Sequence, residues 1–331
     1  MKRQYIKDLD DGTPVETDFV VCRKELRLGR SGSMYLTLEL ADSTGFLPAR
    51  LFEDAKETAE RFSEGDHVAI RGAIKRYRGG RELVVRSLVR LDPATVDPTD
   101  FLPSSRRPVE ELTGFLEFLV SETHNLHLRR LLSLFLSDEE FMAAFARAPA
   151  AKAYHHAYLG GLLEHTVSVA TMCEHAAQQY ERIDRDLLVS AAILHDIGKI
   201  DELEYGTKID YTDEGRFMGH LVMGERMVAE RMGGIAGFPQ ELGLRLRHAI
   251  LSHHGELEWG SPKRPSTLEA LVLHHIDNLD AKVAGFGEIV RRYAGPGVGW
   301  TDVQNLFRRP LHVPCAAENE DRVAEEADEY E

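Results

Sequence analysis

The residues of this chain best suited to chemistry are histidines and aspartates gathered in its second half. Of 15 histidines, all but His67 lie from His124 onward, and several stand in short clusters with carboxylates: Glu164-His165, His195-Asp196, His220, His253-His254 and His274-His275-Ile276-Asp277. A single histidine on an apolar helix is more often packed or hydrogen-bonded than ligating, and His67, His124, His127, His175, His248 and His312 are read that way. The ordered series is different. The apolar run Ala191–Leu194 ends in His195-Asp196, with Ile197-Gly198-Lys199 close behind. Helical spacing puts Lys199 three residues after Asp196 and four after His195, so all three side chains can address one site, and Gly198 permits a tight helix ending. Imidazoles and carboxylates buried together without compensation are costly, and a bound cation removes that cost. Nitrogen and oxygen donors of this kind suit manganese, iron, zinc or magnesium. Cys22, Cys173 and Cys315 are odd in number and far apart, which disfavours a thiolate site and a disulfide framework.

Two periodicities divide the elements that must position these residues. Apolar and polar residues alternate over Met34–Leu40, the pattern of a half-buried strand, and the turn Asp42-Ser43-Thr44-Gly45 closes it. Further strands are predicted over about 17–28, 46–52, 67–77 and 82–91, with a short helix over 53–62. Three strands, a helix and two strands is the order of the OB-fold, a small five-stranded β-barrel that often binds oligonucleotides. If Val68, Ile70 and Ile74 point inward, then Arg71, Lys75 and Tyr77 point outward, and Tyr35, Phe46, Arg50 and Phe52 are candidates to stand beside them. Rings and cations on one face suit single-stranded nucleic acid, because bases stack while Arg and Lys follow phosphates. The same charges would also serve a solvated face that resists edge pairing. After residue 92 a stretch rich in Pro, Ser and Asp reads as a linker, and the period then changes to about 3.6. Leu112, Phe115, Leu116, Leu119 and Val120 share one helical stripe. The predicted organisation is a barrel over 1–95, a linker over 96–108, an all-α domain over 109–312 and a disordered acidic tail over 313–331.

With 331 residues, 43% hydrophobic and 29% charged, the chain has the composition of a two-domain globular protein. Its net charge of -15 is unevenly spread. Residues 1–95 carry 17 Lys and Arg against 16 Asp and Glu, leaving 23 against 39 for the remainder. Arg71, Lys75, Arg76, Arg78, Arg81, Arg86 and Arg90 face only Glu82 within their own stretch, whereas residues 316–331 hold eight acids and one arginine. A basic strip in the barrel and an acidic remainder point to nucleic acid held by the first domain. No apolar stretch reaches the roughly 18 residues of a membrane span, and the charged start MKRQYIKDLDDGT lacks the apolar core of a signal peptide. A cytoplasmic protein without a membrane partner is expected.

The order His165, His195-Asp196, Asp277 resembles the signature of HD-domain phosphohydrolases, and the intervening His220 and His253-His254 are similar to second-metal ligands of the binuclear members. The strings HHAYLGGLLEHT at 155–166 and LHDIGK at 194–199, behind a barrel, most closely resemble the YhaM family of 3′-to-5′ exoribonucleases. The resemblance covers about residues 1–310 and leaves out the acidic extension. It implies two divalent metal ions, manganese foremost. The first would take His165, His195, Asp196 and Asp277; the second would share Asp196 and take His220 with His253 or His254, of which His253 is preferred. Asp196 and Lys199 become catalytic candidates, Lys199 as a phosphate clamp; a helix-end contact with the dipole is its plainer role. His155 and His156 could touch the substrate phosphate or protonate the leaving oxygen, and His156 is taken as the catalytic one. Asp280 and Lys282 could support the ligands or form a surface ion pair. The implied activity is removal of nucleotides from the 3′ end of single-stranded RNA by metal-activated water. Single-stranded DNA as a further substrate and assembly into a homo-oligomer are left open. Two other readings fit the same residues: a phosphohydrolase of a small nucleotide or cyclic dinucleotide with a regulatory barrel, and a non-catalytic nucleic-acid adaptor. Suitable residues at every ligand position disfavour the adaptor.

Overall fold

The computed structural model describes residues 2–29, 32–77, 80–105, 107–153, 155–206, 208–293 and 299–314. It divides into two units, Met1–Arg106 with Leu203–Tyr211, and Arg107–Glu202 with Thr212–Glu331. In the first, β1 (Pro14–Leu28), β2 (Met34–Asp42), β3 (Gly45–Leu51), α1 (Ala55–Ala59), β4 (His67–Tyr77) and β5 (Gly80–Arg90) follow one another. The strands close in the order β1-β2-β3-β5-β4, with β4 returning to β1. This is the expected five-stranded barrel. The long β1 pairs with β4 through its first half and with β2 through its second, with an irregularity between Val21 and Arg23. Only β3 and β5 run parallel.

Alternation fills the barrel as predicted: Leu36, Leu38, Leu40, Val68, Ile70, Ile74 and Leu83 form one core with Phe19. The helix is shorter than the 53–62 expected. Asp54 sits at φ 50°, a left-handed conformation that cannot extend an α-helix backward, so α1 begins only at Ala55. Downstream, Pro93–Thr95 and Pro98–Asp100 form short 3-10 turns, and Phe101 is buried with Val20 and Ala41, its ring edge-on to His67 at 4.4 Å.

The second unit contains α2 (Val109–Ser121), α3 (Leu126–Leu136), α4 (Glu139–Arg147), α5 (Gly161–Gln179), α6 (Arg185–Leu194), α7 (Lys199–Glu202), α8 (Asp213–Gly233), α9 (Gln240–Ser252) and α10 (Leu268–Tyr293). Every residue from Leu187 to Leu194 is buried, so α6 is the central helix, apolar on its faces except at Ser190. Asp184 caps its start by accepting from the Leu187 N–H. Leu112, Leu116, Leu119 and Val120 are buried along α2, but Phe115 is turned outward and 44% exposed, with the Arg107 guanidinium 5.9 Å from its ring. Within the stretch expected to be all-α lies the hairpin of β6 (Leu203–Tyr205) and β7 (Ile209–Tyr211), which groups with the first unit; strands of three residues are too short to leave a readable alternation. No helix among the described residues is long and apolar enough to cross a membrane.

Candidate metal centre

The buried helix α6 delivers His195 and Asp196 into the interior, at 0% and 1% exposure. The chain then turns sharply through Gly198, where a Cβ would lie 2.2 Å from the His220 carbonyl oxygen and 2.6 Å from the Gly224 nitrogen. Only glycine allows α8 to approach this closely. Within α8 the helix breaks at Gly219 (φ 71°, ψ 152°), and Glu202 takes both the freed N–H of His220, at 3.0 Å, and its Nδ1, at 2.9 Å. His165 comes from α5, His253 and His254 follow the end of α9, and Asp277 and Asp280 project from α10.

These side chains converge on the carboxylate of Asp196 from two sides. Oδ2 lies 3.4 Å from His165 Nε2 and 3.3 Å from His195 Nε2, and Asp277 Oδ1 lies 3.2 Å from His165 Nε2. Oδ1 lies 3.5 Å from His220 Nε2 and 3.4 Å from His253 Nε2, with His254 Nε2 3.1 Å from that of His220. The other ring nitrogens are already committed. Nδ1 of His195, His253 and His254 each meets a backbone carbonyl, of Ala192, Ile250 and Trp259, so each must donate there. Nδ1 of His165 and His220 meets the carboxylates of Asp280 and Glu202. With the rings neutral, five Nε2 lone pairs and the Asp196 oxygens face one another, and the Lys199 ammonium is the donor left to offset them. Both Asp196 oxygens are buried and accept no well-aligned hydrogen bond, although Lys199 Nζ lies 2.5 Å from Oδ2. Such a donor set fits divalent cations and is hard to reconcile with any metal-free role. The groupings His165-His195-Asp277 and His220-His253-His254 each bring ligand atoms within 4.8 Å of one another.

The electrostatics agree. Burial raises the Asp196 carboxyl, but the Lys199 ammonium and the surrounding imidazoles outweigh it and hold the group well below the ordinary carboxylate range. Asp277 is lowered in the same way by His165, His195 and His253. Burial should lower His165, yet Asp196, Asp277 and Asp280 raise it well above its ordinary value: the pocket draws positive charge. Burial and the neighbouring His253 hold His254 at about 3, a neutral imidazole at physiological pH. Lys199 is buried too, and Asp196 keeps it charged.

A cavity of about 220 Å³ opens beside the cluster, bordered by Asp196, Lys199, His155, Asn278 and Trp259. His156, expected to touch substrate, does not border it. Its ring nitrogens are engaged by Tyr158 at 2.8 Å and Asp280 at 2.9 Å, and the neighbouring His155 takes the cavity position, where burial and Lys199 depress its pKa to about 4. Asp280 thus holds His156 and His165 together. Glu202 left no signal in the sequence, because its partner His220 is 18 residues away across a hairpin.

The barrel residues are brought together only in part. Tyr35 stacks on Phe52 with ring centroids 5.8 Å apart, and the Arg50 guanidinium lies 5.9 Å from the Tyr35 ring with Nε 2.9 Å from Glu82. Phe46 is 67% exposed further along β3. Lys75 is exposed and registers opposite Glu82. Arg71, further back on the same strand as Lys75, turns to the seam with β1, where it registers opposite Glu16 and pairs with it at 2.7 Å. Period-two alternation gives inside against outside but not the circumferential position. The Tyr77 side chain lies outside the described residues.

A helical unit with this ligand series, joined to an OB barrel, defines a metal-dependent phosphohydrolase of the HD class. The HD domain family model matches residues 162–282, and that of the OB-fold nucleic acid binding domain matches residues 20–91. The chain is 34% identical over 305 residues to the 3′-5′ exoribonuclease YhaM of Bacillus subtilis (strain 168), covering 92% of this chain and 96% of that protein. It is 35% identical over 291 residues to that of Geobacillus sp. (strain WCH70), covering 87% and 88%, and 31% identical over 312 residues to that of Listeria welshimeri, covering 93% and 97%. The chain belongs to the YhaM family of 3′-5′ exoribonucleases.

Proposed function

We infer that this chain is a metal-dependent 3′-5′ exoribonuclease that holds single-stranded RNA on its barrel and hydrolyses terminal phosphodiesters in the helical unit. The observation that carries the reading is the two-sided environment of Asp196, with His165 and His195 toward one oxygen and Asp277 against His165, and His220 and His253 toward the other and His254 against His220. This supports two divalent cations sharing Asp196, with manganese the first candidate and iron, zinc or magnesium next. When bound, such ions activate water and neutralise phosphate charge.

The chain's own residues supply the remainder. Lys199, held charged by Asp196, neutralises a phosphoryl oxygen as negative charge develops. His155 is neutral at physiological pH and offers a hydrogen bond to the substrate. Asp280 and Glu202 fix the rings of His165 and His220 so that Nε2 would be presented to a bound cation. On the barrel, Tyr35 and Phe52 stack bases and Arg50 follows the backbone; single-stranded DNA could use the same face. The test is metal-loaded protein with 5′-end-labelled single strands of RNA and DNA, a duplex and a cyclic dinucleotide, alongside metal analysis. A ladder of 3′-shortened RNA with two metals per chain is expected. Turnover confined to the cyclic dinucleotide would replace this reading with that of a small-nucleotide phosphohydrolase.

A further inference from the structure

We propose that Trp259 is the stacking platform for the 3′-terminal base, so that the helical unit grips the nucleotide to be released through its base as well as its phosphate. The proposal rests on the exoribonuclease reading above and deepens it. Trp259 borders the same cavity as Asp196 and Lys199, and about half of its surface, 53%, is exposed. Large exposed aromatics at a reaction cavity are poorly explained by packing. Stacking on an indole also suits an enzyme that must accept each base in turn, since every base has a π-face.

The position of this ring is built rather than incidental. The Trp259 carbonyl receives Nδ1 of His254 at 3.0 Å, so the residue that fixes a ligand histidine also carries the indole. Beside it, bordering the same cavity, lies His274, with ring centroids 6.0 Å apart, and His274 Nδ1 donates to the His253 carbonyl at 2.8 Å. The connecting loop is braced throughout. Gly255 sits at φ 79°, and a Cβ there would lie 2.2 Å from the His274 ring. Glu256 pairs with Arg264 at 3.0 Å, and the buried Ser261 hydroxyl donates to the Lys263 carbonyl at 2.7 Å, with the Leu251 carbonyl also within reach at 3.0 Å. The loop therefore sets one distance between the metal ligands and an aromatic surface, which is what a terminal-nucleotide pocket requires.

The test compares Trp259→Ala, Trp259→Phe and the parent on two single strands: one with an ordinary 3′-terminal nucleotide, the other with an abasic ribose there. Metal content is measured for each protein. Stacking of one base on an aromatic ring corresponds to about 5- to 150-fold. Trp259→Ala should lower kcat/KM on the ordinary strand by about that factor, mainly through KM. It should change the abasic strand by less than about twofold, and Trp259→Phe should recover most of the loss. Equal losses on both strands, no loss on either, or no recovery by phenylalanine would each overturn the proposal. A parent that does not shorten RNA from its 3′ end would instead overturn the exoribonuclease reading on which it stands.

Discussion

The Asp196 cluster and the outer face of the barrel are both rich in polar side chains, but they solve opposite problems. Around Asp196 the polar atoms are buried and short of donors: five imidazole Nε2 atoms and two carboxylate oxygens meet, with positive charge drawn in from Lys199 and from a His165 ring raised well above its ordinary value. On the barrel the charges lie at the surface or half-buried and neutralise one another, exposed Arg71 with Glu16 and half-buried Arg50 with Glu82. A buried group left unsatisfied costs free energy that only a ligand can return, whereas an exposed ion pair contributes little and can be given up. Burial therefore turns the first cluster into a site with few permissible occupants, and exposure makes the second a surface with many.

The sharpest way to break this contrast is at its centre. Asp196→Asn keeps the volume but removes the shared charge, so turnover should fall below detection and metal content should drop at both positions. Full metal occupancy with activity within a few-fold of the parent would end the two-cation reading. Lys199→Met should come next. Removing one preorganised electrostatic donor typically lowers turnover by about 10²- to 10³-fold, measured as single-turnover cleavage at saturating RNA; a rate within about threefold would reduce Lys199 to a structural partner of Asp196. Glu202→Gln tests whether the supports of the ligands matter, and it should weaken metal binding by about 10- to 100-fold in a chelator titration while leaving the fold intact. Retained affinity would mean that the Gly219 break alone orients His220.

On the barrel the effects should fall on strand binding and be uneven. Tyr35→Ala removes a stacking ring, and single-strand affinity should fall by about 5- to 150-fold. Arg71→Glu, on the other seam and already paired, should change affinity by less than about threefold. The reverse order would place the RNA path along β1 and β4. The mildest prediction concerns His67, buried with neither ring nitrogen partnered and held below its ordinary value by burial. Its contribution is fully present above pH of about 6.5 and is lost as the pH falls toward its folded value, because the unfolded chain takes up the proton first. Melting midpoints should therefore fall more between pH 7 and 5 for the parent than for His67→Phe, on the order of a few degrees; parallel curves would remove His67 from the account.

Much of this was legible in the residues alone. Alternation over Met34–Leu40 and the strand–helix–strand order specify a barrel, and the apolar run ending in His195-Asp196 specifies where the central helix delivers its ligands. Local periodicity carries that information because core burial acts on every second or every third to fourth residue. Contacts between distant segments leave no such imprint. Only the tertiary structure decided that both His253 and His254 face the second side of Asp196, that His155 rather than His156 borders the cavity, and that Glu202 and Asp280 hold ligand rings. It also removed Arg71 from the face of Tyr35, because alternation assigns inside and outside while strand order around a closed barrel assigns neighbours. Residue types and spacing determined which chemistry the chain could perform; the meeting of α5, α6, α8, α9 and α10 decided which atoms are present to perform it.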